Sequence, residues 1–467
     1  MDLGFIENKP YDEISIGDIA TAEHVFTRED AIAFASVSGF TAVVNADGLA
    51  DRDVSTLPPT GPNMWCASLI SGIFATNIPG PGCTLTNVSL SFHNRIHVGE
   101  RIFVKVEATA KDDATKTITF DCRARNGDGA SVFTGSAQLI APTEKLRLAA
   151  FPVPQLTVNN PHRHHLGWIA RASTKPAVKT AVVWPCDELS LGGAIQGLKD
   201  KLIIPVLVGS EEIIRAIAET LQLDLGSTQI IDVESSRLAA IRAVEMARKG
   251  EVQMLMKGSL QTSELMEAVT ARDGLRVGRR ISHVFALDVP AYHKPLFVTD
   301  AAVNIQSDLD TKIDILQNAI DMMLKLEIVK PKVAILSSVE SINPAIPSTL
   351  DAAALCKMVE RGQITGGAIV DGPLAFDNAI SAEAARVKKI KSPVAGDPDL
   401  LMVPNVEAGN ILFKELQYLA GALAAGVVVG AKVPVVLTGR ADGEQSRMAS
   451  CALGVLLARP APKQLDV

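Results

Sequence analysis

From about Lys175 to the end of the chain, short continuous apolar runs alternate with longer segments of helical periodicity. Continuous apolar runs are typical of strands that are buried on both faces, as in a parallel sheet covered by helices. The runs that we interpret as strands are AVVWP, IIPVLVG, IIRAIAETL, MLMKG, LFVTD, KVAILS, GAIVDGP, DLLMVP and VPVVLTG. Residues 175–467 are therefore predicted to form a parallel α/β domain.

Residues 1–145 show a different pattern, in which apolar and polar residues alternate within segments bounded by Gly, Asp and Asn. This alternation is typical of antiparallel strands with one solvated face. Strands are predicted at 84–92, 101–110, 116–125 and 130–140, and helices are predicted at 28–38 and 64–75. A helix packed on such a sheet makes this part an α+β domain.

Residues 146–174 lie between the two patterns and contain several prolines, so they are predicted to be an extended linker followed by a leading helix. This segment also carries His162, Arg163, His164 and His165. No Cys, Asp or Glu stands at metal-ligand spacing beside them. We therefore interpret these histidines as solvated linker side chains and expect no metal site.

Composition limits the classes of function. The 467 residues are 47% hydrophobic and carry a net charge of −7, which suits a globular protein and disfavours nucleic acid as a partner. The six scattered cysteines form no CxxC motif and are interpreted as reduced, inert thiols of a cytoplasmic protein. The N-terminus lacks the apolar core of a secretory signal. The apolar stretch 416–437 contains Lys432 and Pro434, and it is predicted to be a buried helix and then a strand, not a membrane span.

Residues 400–442 contain two copies of one local pattern, an apolar run followed by a polar loop and a helical pattern. In the first copy the loop is 405–409 and the helix starts near Asn410. In the second the loop is 438–442 and the helix starts near Glu444. A loop between a strand and a helix directs the first N–H groups of the helix towards an anion. The pattern predicts a phosphate or acyl-phosphate site.

Residues 20–145 contain TREDAIAFASVSGF, NAD, MWCASLIS, IPGPG and VSLSFHNRIHVGERI in this order, and they resemble a MaoC-type enoyl-CoA hydratase. The resemblance implies a hot-dog fold, in which a sheet wraps a central helix, and a catalytic Asp–His pair. At those two positions this chain has Phe40 and Asn45, and neither is a general base at neutral pH. Nearby Asp47 is interpreted as a helix cap. We predict a hydratase-like fold without hydratase activity, which either binds an acyl-CoA-like ligand or serves oligomerisation.

The C-terminal half resembles the phosphate acetyl/butyryltransferase family, through WPCDELSLGGA, MLMKGSLQT, RISHVFALDVP, LFVTDAAVNI, DGPLAFDNAIS, PNVEAGNILFK and VVLTGRAD. The resemblance implies an isocitrate/isopropylmalate-dehydrogenase-like fold, in which two α/β subdomains enclose the active cleft. It also implies reversible transfer of an acyl group between coenzyme A and inorganic phosphate, with no bound cofactor. Together the halves resemble bifunctional enoyl-CoA hydratase/phosphate acetyltransferases, and a homodimer or larger homo-oligomer is expected.

The resemblance points to Arg440 as the residue that holds phosphate, because a guanidinium binds two oxygens at once. Members of the family often have Ser before this Arg, whereas this chain has Gly439, so Thr438 or the Gly439 N–H is the candidate donor in its place. The catalytic base of acetyltransferases aligns near Ser446, which leaves Asp442 as the candidate base, with a helix cap as the alternative.

Further candidate contacts for phosphate or coenzyme A lie in other strand-end loops. They are Lys257, Ser259, Thr262, Asp300, Asn304, Asp371, Gly409, Asn410 and Ser446, with Asp377 as a further strand-end residue. Helix capping is the alternative role for Gly409 and Asn410. Some acetyltransferases carry a Cys after the Asp of this motif, but here Ala301 follows Asp300. No covalent intermediate is required if coenzyme A and acyl phosphate bind together.

Two other functions stay open at this point. The chain is either truly bifunctional, with an active hydratase, or a degenerate sensor or scaffold that binds coenzyme A esters. Motifs do not fix the length of the acyl group, although the LTxRAD form of residues 437–442 is closer to the butyryltransferase branch and favours a range from acetyl to butyryl.

Overall fold

The computed structural model describes residues 4–39, 60–149, 163–305, 307–437 and 443–458. The chain divides into two compact units, residues 1–160 and residues 161–467. In the described ranges, no helix has both the length and the apolar character needed to cross a membrane.

The N-terminal unit is built on a five-stranded antiparallel sheet, and alternate residues are buried in its strands Arg101–Asp112 and Thr117–Asn126. Its strands are β1 (Phe5–Glu7), β2 (Ile19–Val25), β3 (Thr84–Phe92), β4 (Arg101–Asp112), β5 (Thr117–Asn126), β6 (Ser131–Ile140) and β7 (Arg147–Ala149). Its helices are α1 (Arg28–Ser38) and α2 (Thr60–Thr76), and Tyr11–Glu13 form one 3₁₀ turn. The sheet order is β2-β4-β5-β6-β3, and its core includes Trp65, Ile70 and Phe74 of α2.

The helices and strands predicted for residues 1–145 are confirmed, α1 and β3 with the predicted bounds. Of the segment 146–174, the structure describes 146–149 and 163–174, and these residues contain two elements. Strand β7 pairs with β1 in an antiparallel ladder, and α3 (Arg163–Ser173) begins the second unit.

The prediction that the histidines of residues 162–165 are solvated is wrong for His165, which is 1% exposed. Its ring packs against Trp168 with the ring centroids 4.9 Å apart. The His164 N–H donates to the Asp288 carboxylate at 2.8 Å. A buried carboxylate such as that of Asp288 needs a hydrogen-bond donor, and the His164 N–H is one. This hydrogen bond attaches α3 to the sheet of the second unit.

The second unit contains one eleven-stranded sheet with helices on both faces. Its strands are β8 (Val178–Val183), β9 (Ile203–Gly209), β10 (Gln229–Asp232), β11 (Met254–Lys257), β12 (Ser282–Asp288), β13 (Leu296–Thr299), β14 (Lys332–Leu336), β15 (Ile369–Leu374), β16 (Leu400–Met402), β17 (Leu423–Val429) and β18 (Val435–Val436). Its helices after α3 are α4 (Glu188–Lys199), α5 (Glu211–Thr220), α6 (Ser236–Lys249), α7 (Thr262–Thr270), α8 (Leu309–Lys325), α9 (Pro347–Glu360), α10 (Phe376–Ile380), α11 (Ala382–Val387), α12 (Val406–Tyr418) and α13 (Glu444–Leu457). The strand order is β10-β9-β8-β11-β18-β17-β12-β13-β16-β14-β15.

The predicted parallel sheet is mixed. Strand β17 is antiparallel to both β18 and β12, and β12 is antiparallel to β13. The links 430–434 and 289–295 are too short for a parallel connection, which needs a crossover of about a dozen residues. As a result, the parallel strands β10, β9, β8, β11 and β18 run opposite to the parallel strands β13, β16, β14 and β15.

Two predictions for apolar segments are also wrong. The run IIRAIAETL belongs to helix α5, where Ile214 and Ala218 are buried four residues apart, the spacing of one helical face. The stretch 416–437 holds only the last turn of α12 and then β17 and β18, so its middle is a strand and not a helix. Apolar runs of this length do not by themselves distinguish the two structures.

The two faces of this sheet differ. On one face, a single cluster joins the strands to α3, α4, α5, α8, α9 and α13. On the other, which we call the cleft face, α6 and α7 cover β8, β9 and β11, while a separate cluster covers β13, β14 and β16 with α10 and α12. The middle strands β17 and β12 lie between these two clusters.

Candidate functional site

Lys257 ends β11 and is 3% exposed. In the parallel ladder of β11 and β18, Leu255 pairs with Val435 and Met256 pairs with Val436. Lys257 is therefore level with Leu437, which directly precedes the predicted catalytic loop in sequence. That loop, with Thr438, Gly439, Arg440 and Asp442, lies outside the described residues, as do Phe40 and Asn45.

The loop after Lys257 is held against the end of β8. The Gly258 N–H donates to the Val183 carbonyl at 2.8 Å, and a Cβ at Gly258 would lie only 2.3 Å from the Trp184 carbonyl oxygen. The Ser259 N–H and hydroxyl both donate to that Trp184 carbonyl, at 2.9 and 3.0 Å. This serine therefore directs its proton to the protein. Lys257 is the cation of this strand end, and its Nζ donates to the Gly258 carbonyl at 3.2 Å.

Two helices begin near this strand end, α7 at Thr262 and α13 at Glu444. The first turn of α7 carries Glu264, whose carboxylate accepts from the Gln261 N–H at 3.2 Å and from the Ser236 hydroxyl at 3.1 Å. A carboxylate there disfavours a second anion. The cap of α13 is Gly443, which supplies no side chain, and Ser446 in the first turn is 3% exposed. The first turn of α13 also carries a carboxylate, that of Glu444, so the charge of the first turn does not distinguish the two helices.

A second group of predicted residues surrounds Asp300, which follows β13 and is 3% exposed. Its carboxylate accepts from the N–H groups of Ala302, Val303 and Asn304 at 3.0, 3.1 and 3.0 Å, and from the Asn304 amide at 2.5 Å. The Asn304 amide also donates to the Ile281 carbonyl at 3.0 Å. The Asp300 oxygens are thus occupied by their own loop, so this residue orders Asn304 and does not itself face a ligand.

Helix α12 packs directly on this loop. A Cβ at Gly409 would lie 2.7 Å from the Asp300 carbonyl oxygen and 3.0 Å from Cα of Ala301, so the close approach requires glycine. The Asn410 amide donates to the Ala301 carbonyl at 3.3 Å. Asp300, Asn304, Gly409 and Asn410 therefore form one assembly. The predicted helix start near Asn410 is wrong, because α12 begins at Val406 and is capped by Asn405, so neither Gly409 nor Asn410 is a cap.

Asp371 and Asp377 lie elsewhere. Asp371 is in β15 at the far edge of the sheet, and its carboxylate accepts from the N–H of Gly372 at 2.9 Å. Seven strand spacings separate β15 from β11, which is roughly 30 Å. Asp377 forms an ion pair with Lys388 at 3.0 Å. The structure does not bring either residue to Lys257.

Beside Asn304 lies a cavity of about 720 Å³ that is lined by Arg276, Arg279 and Arg280 together with Thr270 and Asp314. Arg279 pairs with Asp321 at 2.7 Å. Three arginines on one concave surface attract anions. Sequence reasoning missed them, although GLRVGRR concentrates three arginines in five residues and could have indicated an anion site.

A smaller cavity of about 440 Å³ shares Arg279 with this one. Two lysines line it, and each already donates to a helix-end carbonyl, Lys325 to Leu457 at 3.2 Å and Lys432 to Arg248 at 2.8 Å. Lysines near the last carbonyls of a helix stabilise that helix. The larger cavity is therefore the better anion site.

His283 was also missed, because it lies inside strand β12 without any turn residue to mark it. It is 1% exposed, and its Nδ1 has no hydrogen-bond partner in the described structure. Burial lowers the pKa of its imidazole to about 4, although the Asp300 carboxylate acts to raise it. The ring is therefore neutral at pH 7.

The six cysteines are free in the structure, and Cys66, Cys122 and Cys451 are buried. Burial raises the pKa to about 12 for Cys66, Cys122, Cys356 and Cys451. A thiol at such a pKa is not a nucleophile at neutral pH. Chemistry at this site does not pass through these cysteines.

Comparison with known proteins gives a consistent result. The family described as "Phosphate acetyl/butaryl transferase" matches residues 235–455. The phosphate acetyltransferase of Rhizobium meliloti is 55% identical over 291 residues, which cover 62% of this chain and 92% of that protein. The crystal structure of a branched-chain phosphotransacylase from Enterococcus faecalis matches with a TM-score of 0.52 and 29% identity, over 60% of this chain and 99% of that one.

An R-hydratase structure from Pseudomonas aeruginosa is 28% identical and covers 33% of this chain and 99% of its own, with a TM-score of 0.30. A TM-score this low carries no argument about fold. The hot-dog assignment of the N-terminal unit therefore stays a prediction.

Proposed function

The chain belongs to the phosphate acetyl/butyryltransferase family, and we propose that it reversibly transfers a short acyl group between coenzyme A and inorganic phosphate. The observation that carries this proposal is the 55% identity to a phosphate acetyltransferase across 92% of that protein. The family's description names both acetyl and butyryl transfer, which supports an acyl range from acetyl to butyryl. Coenzyme A and phosphate are substrates, and the proposal includes no bound cofactor.

In the proposed reaction, a phosphate oxygen attacks the thioester carbonyl carbon, the C–S bond breaks, and acyl phosphate and the coenzyme A thiolate are formed. Lys257, Arg440 and the first N–H groups of α13 hold the phosphate. Such donors stabilise the charge that develops on the carbonyl oxygen and on the leaving sulfur. Asp442 is the proposed base that removes the thiol proton in the reverse direction.

The arginine-lined cavity is the proposed site for the phosphate groups of coenzyme A. Arginine binds phosphate oxygens in pairs, and Arg276 and Arg280 line a cavity of about 720 Å³ next to Asn304. Four strand spacings, roughly 20 Å, separate Lys257 from Asp300. A long substrate whose reacting thioester and nucleotide end bind at different places fits this separation.

The finer description of the fold is also part of the proposal. Two α/β subdomains of the isocitrate/isopropylmalate-dehydrogenase type are supported by the two parallel strand sets of opposite direction and by the two separate clusters on the cleft face. A hot-dog fold for residues 1–145 is supported by α2 packed on the five-stranded sheet. The proposed domains are 1–145, the linker and helix 146–174, and 175–467.

We further propose that the hydratase-like unit is inactive, because Phe40 and Asn45 replace its catalytic pair. A cytoplasmic homodimer or larger homo-oligomer is the expected form. The competing hypothesis is a coenzyme A sensor. Binding of coenzyme A by the purified chain without turnover would favour it.

Release of free thiol from acetyl-CoA or butyryl-CoA, measured with and without phosphate, tests the transferase. Lys257→Met should lower kcat/KM for phosphate by roughly 10²–10³, the usual effect of losing one charged donor at a transition state. Lys249→Met is the matched control, since Lys249 is exposed and pairs with Glu245 on its own helix. Phosphate-independent release, or equal losses in the two variants, would contradict the proposal.

A further inference from the structure

Trp184, which directly follows β8, has a backbone conformation that is unusual for a bulky residue. Its φ is 56°, in the left-handed region that glycine occupies readily and other residues rarely adopt. Glycines aside, the five other described residues with a positive φ are lysines, a glutamine and a glutamate, and all but one of them are exposed. Trp184 is instead half-buried. A bulky residue keeps such a conformation only where the surrounding structure requires it, and this is frequent at functional sites.

The left-handed turn directs the two polar groups of the Trp184 backbone to different strands. In a regular strand, the N–H and C=O of one residue point to the same neighbouring strand. The Trp184 N–H donates to the Val208 carbonyl of β9 at 2.7 Å. Its carbonyl points to the other side of β8, where it accepts from the N–H and the hydroxyl of Ser259 at 2.9 and 3.0 Å. Without the turn, this carbonyl would face β9 and lose both hydrogen bonds.

One peptide group connects this carbonyl to the Lys257 ammonium. The trans peptide bond between Gly258 and Ser259 is planar, so its N–H and C=O point in opposite directions. The N–H is that of Ser259 and donates to Trp184, whereas the C=O is that of Gly258 and accepts from Lys257 Nζ at 3.2 Å. Hydrogen bonds on both sides of one peptide group strengthen each other. The Trp184 carbonyl therefore fixes the peptide group that holds the ammonium.

The indole of Trp184 supplies packing that offsets the unfavourable φ. It packs against the cleft-face cluster that includes Leu260 and Leu265, which follow Lys257 in the chain. Leu437, which precedes the predicted catalytic loop in sequence, belongs to the same cluster. Burial of apolar surface favours the conformation in which these contacts are made. The side chain thus stabilises the turn, and the turned carbonyl acts on the loop after Lys257.

We propose that Trp184 is a positioning residue of the transferase, whose left-handed backbone holds the Lys257 ammonium in the place where it binds phosphate. This inference rests on the proposed function, with the phosphate at Lys257. Trp184 acts through the Gly258–Ser259 peptide group and not by contact with a substrate. Phosphate binds well only while the left-handed turn is kept, so KM for phosphate should rise as that conformation becomes less populated.

The test compares Trp184→Gly with Trp184→Ala, because both variants lose the indole and only glycine accepts a positive φ without cost. At saturating acetyl-CoA, KM for phosphate should be about 5- to 30-fold higher in Trp184→Ala than in Trp184→Gly, the factor by which a Cβ disfavours the left-handed conformation. KM does not depend on how much of the protein is folded, so a loss of stability does not imitate this result. Trp184→Leu and Trp184→Asn should differ in the same direction, since Asn enters the left-handed region more readily than Leu.

The same pair of variants in a Lys257→Met background shows whether Trp184 acts through Lys257. If it does, the difference in KM for phosphate between Trp184→Gly and Trp184→Ala should disappear there, whereas a merely structural role would leave it unchanged. Lys201 supplies the matched control, because its φ is 58° and it is exposed in the turn before β9, at the opposite end of these strands. Lys201→Gly and Lys201→Ala should have equal KM for phosphate.

Three results overturn this inference alone. They are equal KM values in Trp184→Gly and Trp184→Ala, a difference that persists in the Lys257→Met background, and the same difference in the Lys201 pair. Absence of phosphate-dependent thiol release by the unaltered chain overturns the proposed function and this inference with it.

Discussion

Removal of the Asp300 carboxylate should destabilise the second unit and loosen the loop that carries Asn304. The carboxylate is 3% exposed and accepts three backbone N–H groups and one side-chain amide. Hydrogen bonds to a charged group contribute about 1.5–3 kcal/mol each, so the four together have an upper limit of about 6–12 kcal/mol.

The net effect of Asp300→Ala is smaller than this limit. Ala302 is exposed and Val303 is half-buried, so water replaces part of the lost hydrogen bonding. Removing the carboxylate also removes the cost of burying its charge. We therefore expect the free energy of unfolding of the second unit to fall by about 3 kcal/mol. Asp300→Asn keeps an oxygen for the N–H groups of Ala302 and Val303, so its loss should be about half as large.

Urea unfolding followed by tryptophan fluorescence measures this change. Trp168 and Trp184 lie in the second unit and Trp65 lies in the first, so a Trp65→Phe background restricts the signal to the second unit. The same variants should raise KM for acyl-CoA, because Asn304 lines the arginine cavity.

Asp308→Ala is the control, since Asp308 caps α8 through the Thr311 N–H at 2.9 Å, and its loss should cost about 1 kcal/mol. The reasoning fails if Asp300→Ala costs no more than this cap.

Two further predictions concern charge and the first unit. Asp397 pairs with Lys294 and Lys332 at 2.8 and 2.6 Å, and although burial acts to raise its pKa, these partners hold it well below its ordinary value. The stabilisation is then present above about pH 5 and is lost as the pH falls, so the difference in unfolding free energy between the unaltered chain and Asp397→Asn should shrink between about pH 5 and pH 3 in urea titrations. Crotonyl-CoA should not be hydrated by the chain, as followed by the loss of enoyl absorbance; hydration that disappears in Asp47→Asn would instead establish an active hydratase.

Alternation was enough to predict strands β3 to β6 of the first unit but not β1, β2 and β7, and in β4 and β5 period-two burial places one face of the strand in the core. Strand β4 shows this directly, with Ile102, Val104 and Val106 buried and their neighbours exposed. In the second unit the strands are apolar on both faces. The apolar pattern therefore does not show which way a side chain points or in which direction a strand runs. For this reason the run IIRAIAETL was wrongly predicted to be a strand. It belongs to helix α5, in which Ile214 and Ala218 are buried and the other apolar residues lie nearer the surface.

Candidate site residues with charged side chains could be identified from the sequence where they stand at the end of a strand. Lys257 and Asp300 stand at the ends of apolar runs and were singled out in this way, although the Asp300 carboxylate binds its own loop and not a ligand. Their grouping was not predictable, because sheet order decides which strand ends are neighbours, and it puts β11 beside β18 but β15 at the far edge.

The reversal of direction between β12 and β13 changes where the reaction has to be placed. Met256, Val436, Val427, Val284 and Thr299 lie level across five neighbouring strands. Lys257 lies one residue beyond this level, towards one edge of the sheet where strands end. Asp300 lies one residue beyond it towards the opposite edge. A site built only from strand ends would therefore be divided between opposite edges. The cleft face, where α7 and α12 belong to separate clusters, is the surface that both groups share. For this reason the cleft face, and not one edge of the sheet, is the better location for the reaction.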